Sequence, residues 1–430
     1  MENEIKLDKL NMIDKFFIIW SFFIPITTII LIPSIKMTVL SIVFAYLSPI
    51  VIFYFFRKNK YKYMRNNYIK DILRFYFIFC FFIVISQFSN AIIDISLYNI
   101  PLSPSDESLS IHIFRYTLFV QTIYCLPAIL TFYYTKHFYS NKWDKWIIRS
   151  GLLFAIYALY KWAYYLIMGE DGDFLTNKVY DDSDKQEIGN SGTLFQGIYI
   201  GGLLIQRLQG LSGEPAMYAF TALPYFIFAI QKKANIFIIF ILGISLLLTT
   251  STSAYLGLLI YIMVLVFSNK LKKKYLILGV IGVVVFYIIF SDYINDIIKL
   301  MILEKIFNSA NSQSGAERSS SIIDCLNYWG ELDPIHMLFG IGYGYIRSFD
   351  FFTTLLVNVG ILGLVIFCYF ILKDIKLKNC DFVDIHDNAI IIVLFSVLMM
   401  SVAEIWFVSF WLFIGIIKNK KAKIDNKRVR

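Results

Sequence analysis

Charged residues are scarce in this chain of 430 residues, and their scarcity excludes several classes of protein. Asp, Glu, Lys and Arg together make up 17% of the sequence, whereas a typical soluble domain carries about 25%. Hydrophobic residues reach 58%, and the mean hydropathy is +0.64. This composition excludes a cytosolic enzyme, and it excludes a nucleic-acid-binding protein built on the net charge of +9.

Cysteine and histidine are also few, with five and four residues. The cysteines show no short metal-type spacing, and Cys80, Cys125 and Cys368 lie inside apolar runs, where cysteine behaves as a small hydrophobic residue. The outer segments defined below hold two histidines, His112 and His336, which are far apart in the sequence. We therefore expect neither a disulfide framework nor a metal cofactor.

Long apolar runs dominate the sequence instead. A helix needs about 20 apolar residues to cross about 30 Å of hydrocarbon. By this criterion the sequence predicts an all-α polytopic membrane protein with about twelve transmembrane helices. They lie at roughly 16–32, 37–56, 72–93, 114–134, 147–168, 215–230, 235–249, 254–268, 275–291, 352–372, 389–402 and 404–417. The closely paired short spans predict two hairpins, which turn at 249–253 and near 401–404.

The distribution of Lys and Arg predicts the orientation. With the N-terminus in the cytoplasm, 30 of the 40 Lys and Arg residues lie on the inner side and nine on the outer side, as the positive-inside rule requires. Both termini are then cytoplasmic. The basic tail after residue 417 is expected to lie against anionic lipid headgroups, and Arg115 is expected to reach the outer headgroups.

Two outer segments stand apart by their length, 169–214 and 292–351, and we expect them to form two large outer loops within a single membrane domain, 1–430. Connections longer than about 12–15 residues are usually functional or disordered. The second loop is predicted to contain an amphipathic helix at 294–307. A second helix should begin at the capping box of Ser314 and run to about Trp329.

The end of the first loop is a candidate anion site. Arg207 is followed by Gly210 and Glu214, and Pro215 then begins a span. Small residues let the backbone approach a ligand, a helix N-terminus attracts anions, and an arginine fork suits phosphate. The alternative is a glycine-rich connection in which Arg207 reaches the headgroups and Glu214 caps the helix.

The end of the second loop contains the sequence Gly340-Ile341-Gly342-Tyr343-Gly344. This run is no nucleotide fingerprint because no strand precedes it. Its structural interpretation is a tight loop against the membrane. His336, Arg347 and Asp350 lie nearby. Each also has a purely structural interpretation. His336 would be an ordinary loop residue, Arg347 a surface residue, and Asp350 the cap of the following span.

Together these motifs resemble the bacterial polysaccharide polymerases of the Wzy class, in the O-antigen polymerase and ligase superfamily. The resemblance covers most of the chain and rests on the order of four motifs: Arg207…Gly210…Glu214-Pro215, Glu317-Arg318-Ser319, Leu338-Phe339-Gly340-Ile341-Gly342-Tyr343-Gly344 and Gly360-Ile361-Leu362-Gly363. It implies a GT-C-like glycosyltransferase in the bacterial plasma membrane. The substrates would be donor and acceptor oligosaccharides linked to undecaprenyl diphosphate, joined on the outer face. It also admits a chain-length regulator as a partner.

The resemblance suggests roles for the candidate residues. Arg207, Arg318 and Arg347 would bind the diphosphate, with Gly210 and Tyr343 in the same substrate-binding group. The base that activates the acceptor hydroxyl stays open among Glu214, Asp350 and His336. The ligases of the superfamily carry a His-Asn pair where this chain has Phe349-Asp350, and many carry Arg at the position of Thr252. These differences disfavour a ligase, which remains the first alternative.

A lipid-linked oligosaccharide flippase is the alternative from another class of protein. A transporter should carry charges within its spans, along an interior path. Lys161 is the only clear charge inside a predicted span. Because the other charges gather in the outer loops, the sequence favours an enzyme that works at the membrane surface.

Overall fold

The computed structural model describes residues 10–32, 38–55, 62–97, 100, 113–169, 172, 197–200, 203–268, 313–376, 380–402 and 405–428. Most of these residues are helical. The helices are α1 Met12–Phe23, α2 Leu40–Phe55, α3 Lys62–Ile92, α4 Tyr116–Phe138, α5 Asp144–Met168, α6 Pro215–Gln231, α7 Ile236–Leu248, α8 Thr252–Phe267, α9 Gln313–Glu331, α10 Pro334–Phe339, α11 Phe351–Leu372, α12 Phe382–Ser401 and α13 Val408–Arg428. The helical fold class predicted from the sequence is confirmed.

Membrane-spanning character is shown for part of this set. Within the described ranges, five helices are long and apolar enough to cross a bilayer: α4, α11, α12, the part of α3 from Asn66 and the segment Asn141–Met168 that contains α5. The helices α2, α7 and α8 are apolar but shorter. Eleven of the twelve predicted spans contain a helix, and the span at 275–291 lies outside the described residues. The number of membrane crossings therefore stays a prediction.

One element was not predicted from the sequence. Two short strands, β1 Gly197–Ile200 and β2 Leu203–Gln206, pair antiparallel with Ile198 opposite Ile205. Both strands lie within the first outer loop, 169–214, for which the sequence predicts no strand. A hairpin satisfies the backbone hydrogen bonds of an apolar segment without a helix.

Local signals explain where several helices begin and end. Asn11 and Asp14 form a reciprocal capping box at the start of α1. Pro215 occupies the first turn of α6, where its missing N–H costs no hydrogen bond. The predicted turn between α7 and α8 is confirmed, because α7 ends at Leu248 and α8 begins at Thr252.

One end of the helix bundle carries most of the ion pairs formed among the described residues and is called the basic end. There Trp143 is fully buried, stacks on Phe17 with ring centroids 3.8 Å apart, and donates its indole N–H to Asp14 at 2.7 Å. Lys232 pairs with Asp144 at 2.7 Å. A partly buried cation and carboxylate are tolerated when they neutralise each other. The basic end is therefore tied together by the protein's own charges.

The helix α13 adds its lysines to the basic end. Lys420 pairs with Asp387 at 2.8 Å, Lys418 pairs with Asp374, and Lys423 donates to the backbone carbonyl of Tyr139. The expectation that the basic tail lies against lipid headgroups is wrong for Lys418 and Lys420, whose amines pair with carboxylates, and it stays a prediction for the other lysines of the tail. Lys418 and Lys420 bind protein groups because α13 continues as a helix past the apolar run and packs along α4.

The opposite end of the bundle, called the loop end, brings the candidate residues together. It contains the segments 207–214, 249–251 and 332–350, together with the helix α9, which contacts the last of these segments. Thr28, after α1, donates its hydroxyl to the carbonyl of Leu211 at 3.0 Å. Ser253, at the start of α8, hydrogen-bonds to Ser401, at the end of α12, at 2.9 Å. All three candidate arginines lie at this end.

Candidate functional site

The segment after β2 is held on the turn between α7 and α8. Leu208 donates its backbone N–H to the carbonyl of Leu248 at 3.0 Å, and the Nε of Arg207 donates to the carbonyl of Thr249 at 3.3 Å. Leu208 is fully buried, whereas Arg207 is half-buried. The buried leucine and the carbonyl of Thr249 thus fix the direction in which the arginine side chain leaves the backbone.

Gly210 has a packing role in this segment. Its φ is +57°, and a Cβ at this position would lie 2.7 Å from the Cβ of Ala158 in α5. A side chain is therefore excluded both by the backbone conformation and by the neighbouring helix. The close approach that the glycine permits is to α5, which leaves no room at the glycine itself for a ligand.

Glu214 occupies the N-cap position of α6 without capping it. Its backbone is extended, with φ −131° and ψ 151°, and its side chain makes no capping hydrogen bond. The side chain is exposed. The carboxylate is thus available at the start of α6, where the free N–H groups of the helix favour a negative charge.

Arg207 and Arg318, called the arginine pair, lie close enough for their charges to interact. The pKa of Arg207 is lowered to about 10, first by burial and then by the positive charge of Arg318. The negative charge of Glu214 acts in the opposite direction. Both lowering effects disfavour the charged form of the guanidinium, so a bound anion would stabilise this arrangement.

Arg318 is placed by α9 and by the end of the second loop. Its guanidinium carbon lies 5.8 Å from the ring centroid of Phe349, and the residue is exposed. The hydroxyls of Ser321 and Ser348 are 3.3 Å apart and join α9 to this loop. The helix predicted from Ser314 to about Trp329 matches α9, Gln313–Glu331. The predicted helix at 294–307 lies outside the described residues.

The glycine motifs of the second loop form a backbone-to-backbone contact. The helix α11 is broken at Gly360, which has φ +68°. The backbone N–H groups of Ile341 and Gly342 donate to the carbonyls of Val357 and Asn358 at 3.0 and 3.1 Å. The glycine run at 340–344 therefore docks on the helix α11 where it is broken at Gly360. This agrees with the interpretation of the run as a tight loop.

Asp350 caps α11. Its carboxylate accepts from the backbone N–H and hydroxyl of Thr353, at 2.8 and 2.5 Å, and from the hydroxyl of Ser348 at 3.1 Å. The residue is 4% exposed. A carboxylate with this many donors has little capacity left to take a proton from a substrate, so its position favours the capping alternative.

His336 is fully buried under the second loop. Its Nδ1 pairs with Asp333, and its Nε2 lies 2.8 Å from the Oδ1 of Asn90 in α3. Burial alone would raise the pKa of Asp333, but the hydrogen bonds from His336 outweigh it and hold the pKa below its usual value. Because both ring nitrogens are occupied and the ring is inaccessible, this position favours a structural role over that of a base.

Tyr343 and Arg347 line a cavity of about 50 Å³. Tyr343 is half-buried, and its ring packs edge-on against Phe79 with centroids 5.1 Å apart. Arg347 is exposed. Of the eight candidate residues, the structure thus brings Arg207, Arg318 and Glu214 into one group and places Tyr343 and Arg347 in a second.

Sequence reasoning missed a buried polar network that supports the second loop. The hydroxyl of Tyr345 donates to Gln87 at 2.7 Å, and Asn90 donates to the carbonyl of Ile341 at 2.8 Å. Arg115 is 2% exposed, with its guanidinium carbon 5.6 Å from the ring centroid of Tyr345. The expectation that Arg115 reaches the headgroups is wrong. Gln87 and Asn90, two amides inside an apolar span, were the available signal.

A metal centre finds no support in the described part of the chain. Among those residues, no three His, Cys, Asp or Glu side chains gather in a way that could hold a metal ion. The acidic stretch of the first loop, 170–187, lies almost wholly outside the described residues. The expected independence from metal therefore stays a prediction, to be tested with a chelator.

No protein-family model and no curated protein matches this chain. The resemblance to the polymerase and ligase superfamily therefore rests on the motifs in this sequence. The function must be argued from the residues that the fold brings together at the loop end, and the arginine pair is the strongest of these observations.

Proposed function

We propose that this protein is a membrane glycosyltransferase of the polysaccharide polymerase type. It would join oligosaccharide repeat units carried on undecaprenyl diphosphate at the outer face of the bacterial plasma membrane. The observation that carries this proposal is the arginine pair. Arg207 and Arg318 come from different loops, yet the positive charge of Arg318 lowers the pKa of Arg207.

Two like charges held together are unfavourable unless an anion lies between or beside them. A lipid diphosphate is such an anion, and additional negative charge develops on it as it leaves the donor sugar. Guanidinium groups fixed beside the leaving group stabilise that charge in the transition state. The forked geometry of arginine also matches phosphate oxygens better than the point charge of lysine does.

Glu214 is the base in this proposal. It is exposed and uncapped, and its charge acts on Arg207, whereas Asp350 and His336 are occupied by hydrogen bonds. The acceptor hydroxyl oxygen bonds to C1 of the donor sugar while its proton passes to the Glu214 carboxylate. The bond from C1 to the diphosphate oxygen breaks, and its electron pair leaves on the diphosphate beside the arginine pair.

The orientation predicted by the positive-inside rule is part of the proposal. With the basic end in the cytoplasm, the loop end and the arginine pair face outward. Lipid-linked repeat units and the growing chain would meet there. Both chain termini would then be cytoplasmic, and no metal, nucleotide or nucleic acid would take part.

Deletion of the gene in its host tests the proposal. A ladder of surface polysaccharide that collapses to one repeat unit supports a polymerase. Full-length chains that remain on the lipid carrier would instead identify a ligase. Repeat units that never reach the outer face would identify a flippase, in which the buried Lys161 of α5 would be of interest.

Substitutions in the arginine pair test the mechanism. Arg207→Ala and Arg318→Ala should each lower the rate of polymerisation about 30-fold or more, because each removes a guanidinium that stabilises the negative charge developing on the diphosphate in the transition state. Arg207→Lys and Arg318→Lys should restore little. Arg149→Ala is the matched control, since Arg149 is exposed and lies on Trp146 near the basic end. Normal polymer from the arginine-pair variants would place the site elsewhere.

A further inference from the structure

We infer that one face of α3, where this helix joins the basic end, binds an anionic phospholipid such as phosphatidylglycerol. Two cations at the start of this face, Lys70 and Arg74, hold the phosphate of the headgroup. The apolar side chains that follow along the helix contact the acyl chains. The site is independent of the arginine pair and of the proposed function, because it lies at the other end of the bundle.

The helix α3 has the largest exposed surface of the five described helices that are long enough to cross a membrane. Of its most apolar stretch 17% is buried, whereas the other four reach 28–61%. Four of its side chains share one side of the helix, because they follow each other at spacings of four, seven and four residues. They are 62–77% exposed and are called the α3 face: Leu73, Phe77, Val84 and Phe88. Lipid tails are as apolar as these side chains, so the α3 face suits acyl chains.

Lys70 stands at one end of the α3 face, at the depth of the headgroups. It precedes Leu73 by three residues and therefore lies on the same side of the helix. From Lys70 to Phe88 the helix rises about 27 Å, which is close to the ~30 Å of hydrocarbon in a bilayer. When the α3 face lies in hydrocarbon, the amine of Lys70 thus reaches the interface with water.

An open groove marks this end of the α3 face. It has a volume of about 260 Å³ and is lined by Asn66, Ile69, Lys70 and Leu73. Asn66 and Lys70 are both exposed, and their amide and amine can donate to phosphate oxygens. Ile69 and Leu73 are apolar. The lining therefore combines donors for a headgroup with a surface for the first carbons of an acyl chain.

The protein does not neutralise the two cations beside the groove. Lys70 and Arg74 are exposed, and neither forms an ion pair with another residue in the ranges that the structure describes. Asp71 is the adjacent carboxylate, and its side chain turns to α4 instead. It accepts from the Nζ of Lys136 at 2.5 Å and lies 2.9 Å from the Nε2 of His137. The positive charge on this side of α3 is therefore open to an anion.

The sequence before the groove adds positive charge. Five basic residues and no acidic residue lie between positions 57 and 65: Arg57, Lys58, Lys60, Lys62 and Arg65. Clusters of about four to eight basic residues next to a membrane helix are typical of segments that attract anionic lipids. In the C-terminal tail, by contrast, Lys418 and Lys420 pair with carboxylates of the protein. Headgroup contact is thus better supported at the start of α3 than at those two lysines.

A second copy of this chain is the other class of partner for an exposed membrane helix. Helices that associate within a membrane bring small residues together at their contact, whereas the α3 face consists of two phenylalanines, a leucine and a valine. Two copies inserted in the same direction would also place Lys70 opposite Lys70 around a two-fold axis. Like charges repel at such a contact, so the composition and the charge both favour a lipid.

Native mass spectrometry of the purified full chain tests the site. The protein is delipidated in detergent, and phosphatidylglycerol or phosphatidylcholine with the same acyl chains is added at increasing concentration. The masses give the number of bound lipids, their dissociation constants and the oligomeric state of the chain. Because the two lipids differ in the net charge of the headgroup, the ratio of their dissociation constants isolates the contribution of Lys70 and Arg74.

We expect phosphatidylglycerol to bind more tightly than phosphatidylcholine. Lys70→Gln and Arg74→Gln should each weaken binding of phosphatidylglycerol about fivefold, the effect of one basic residue near a membrane surface, and leave phosphatidylcholine unchanged. Lys15→Gln is the matched control, because it removes the same charge from an exposed position of α1 at the same end of the bundle. Phe77→Ala should weaken both lipids alike, since it removes apolar contact and no charge.

Three results would overturn the inference. They are equal affinity for the two lipids, an equal loss of phosphatidylglycerol binding in Lys15→Gln, and a dimeric mass that Phe77→Ala converts to the monomer. The last result would assign the α3 face to a second copy. All four substitutions change exposed side chains, so the variants should fold like the unsubstituted protein. None of these results bears on the arginine pair, which lies at the loop end.

Discussion

Gly340 and Gly360 lie backbone to backbone. A Cβ on Gly360 would come within 2.3 Å of the carbonyl group of Leu338, and a Cβ on Gly340 within 2.4 Å of the carbonyl group of Asn358. Each glycine also has a positive φ, +77° at Gly340 and +68° at Gly360. The contact holds the second loop on the broken helix α11, and with it the segment that carries Tyr343 and Arg347.

Because of this contact, adding a single methyl group at either glycine should strongly destabilise the protein. Gly360→Ala and Gly340→Ala should each destabilise the protein by at least about 2 kcal/mol, because the methyl group meets backbone that cannot move away and the conformation disfavours a side chain. Thermal unfolding in detergent measures the loss. Gly330→Ala is the control, since nothing lies within 4 Å of that position in α9. Equal stability of all three variants would contradict the contact.

The pair formed by Asp333 and His336 predicts a loss of stability in acid. The pKa of Asp333 is held below its usual value of 3.8, so its contribution is present above pH 3.8 and disappears as the pH falls through the lowered pKa. Asp333→Asn keeps an oxygen for the cap of α10 but removes the charge. Melting curves should show this variant to be less stable at neutral pH and less sensitive to acid. Parallel curves for both proteins would refute the ion pair.

Removing His336 should weaken the second loop without removing a catalytic group. His336→Ala leaves Asp333 and Asn90 without their imidazole partner, and losing the partner of a buried polar group costs about 1–3 kcal/mol. Both stability and polymerisation should fall together. Folded, stable protein that has lost all activity would instead restore His336 as a candidate base.

The lowered pKa of Arg207 predicts an alkaline limit for anion binding. Arg207 is charged at neutral pH and loses its proton as the pH rises past about 10. Sulfate, which keeps its charge in this range, should therefore stabilise the protein less above pH 10. Arg318→Gln removes the positive neighbour and should move this limit to higher pH. In the control variant Arg149→Gln, the pH at which sulfate ceases to stabilise the protein should not change. A change in this control would show that the effect is not specific to Arg318.

The proposed orientation predicts which positions react from outside. A cysteine introduced by Glu331→Cys, at the exposed end of α9, should react with a membrane-impermeant thiol reagent in intact cells. A cysteine introduced by Lys145→Cys, at the basic end, should react only after the cells are opened. The unsubstituted protein measures the background from its own cysteines. The reverse pattern would invert the topology and remove the site from the outer face.

Much of the architecture is local and can be read from residue order. Apolar runs of membrane length, the turn at 249–251 and the helix that begins near Ser314 all depend on neighbouring residues, and helices appear where these patterns predict them. The separation of the basic end from the loop end follows from where Lys and Arg interrupt the apolar runs. Such signals need no knowledge of distant contacts.

The roles of individual polar residues were decided by the tertiary structure. Glu214 and Asp350 both precede a helix, yet only Asp350 is enclosed by donors from its neighbours. Arg115 and Arg318 are both outer arginines, but one is buried under Tyr345 and the other lies exposed beside Phe349. The amino-acid sequence by itself thus determined a helical bundle with two unlike ends. Which side chains meet at the loop end depends on contacts between segments far apart in the chain, and only folding brings those segments together.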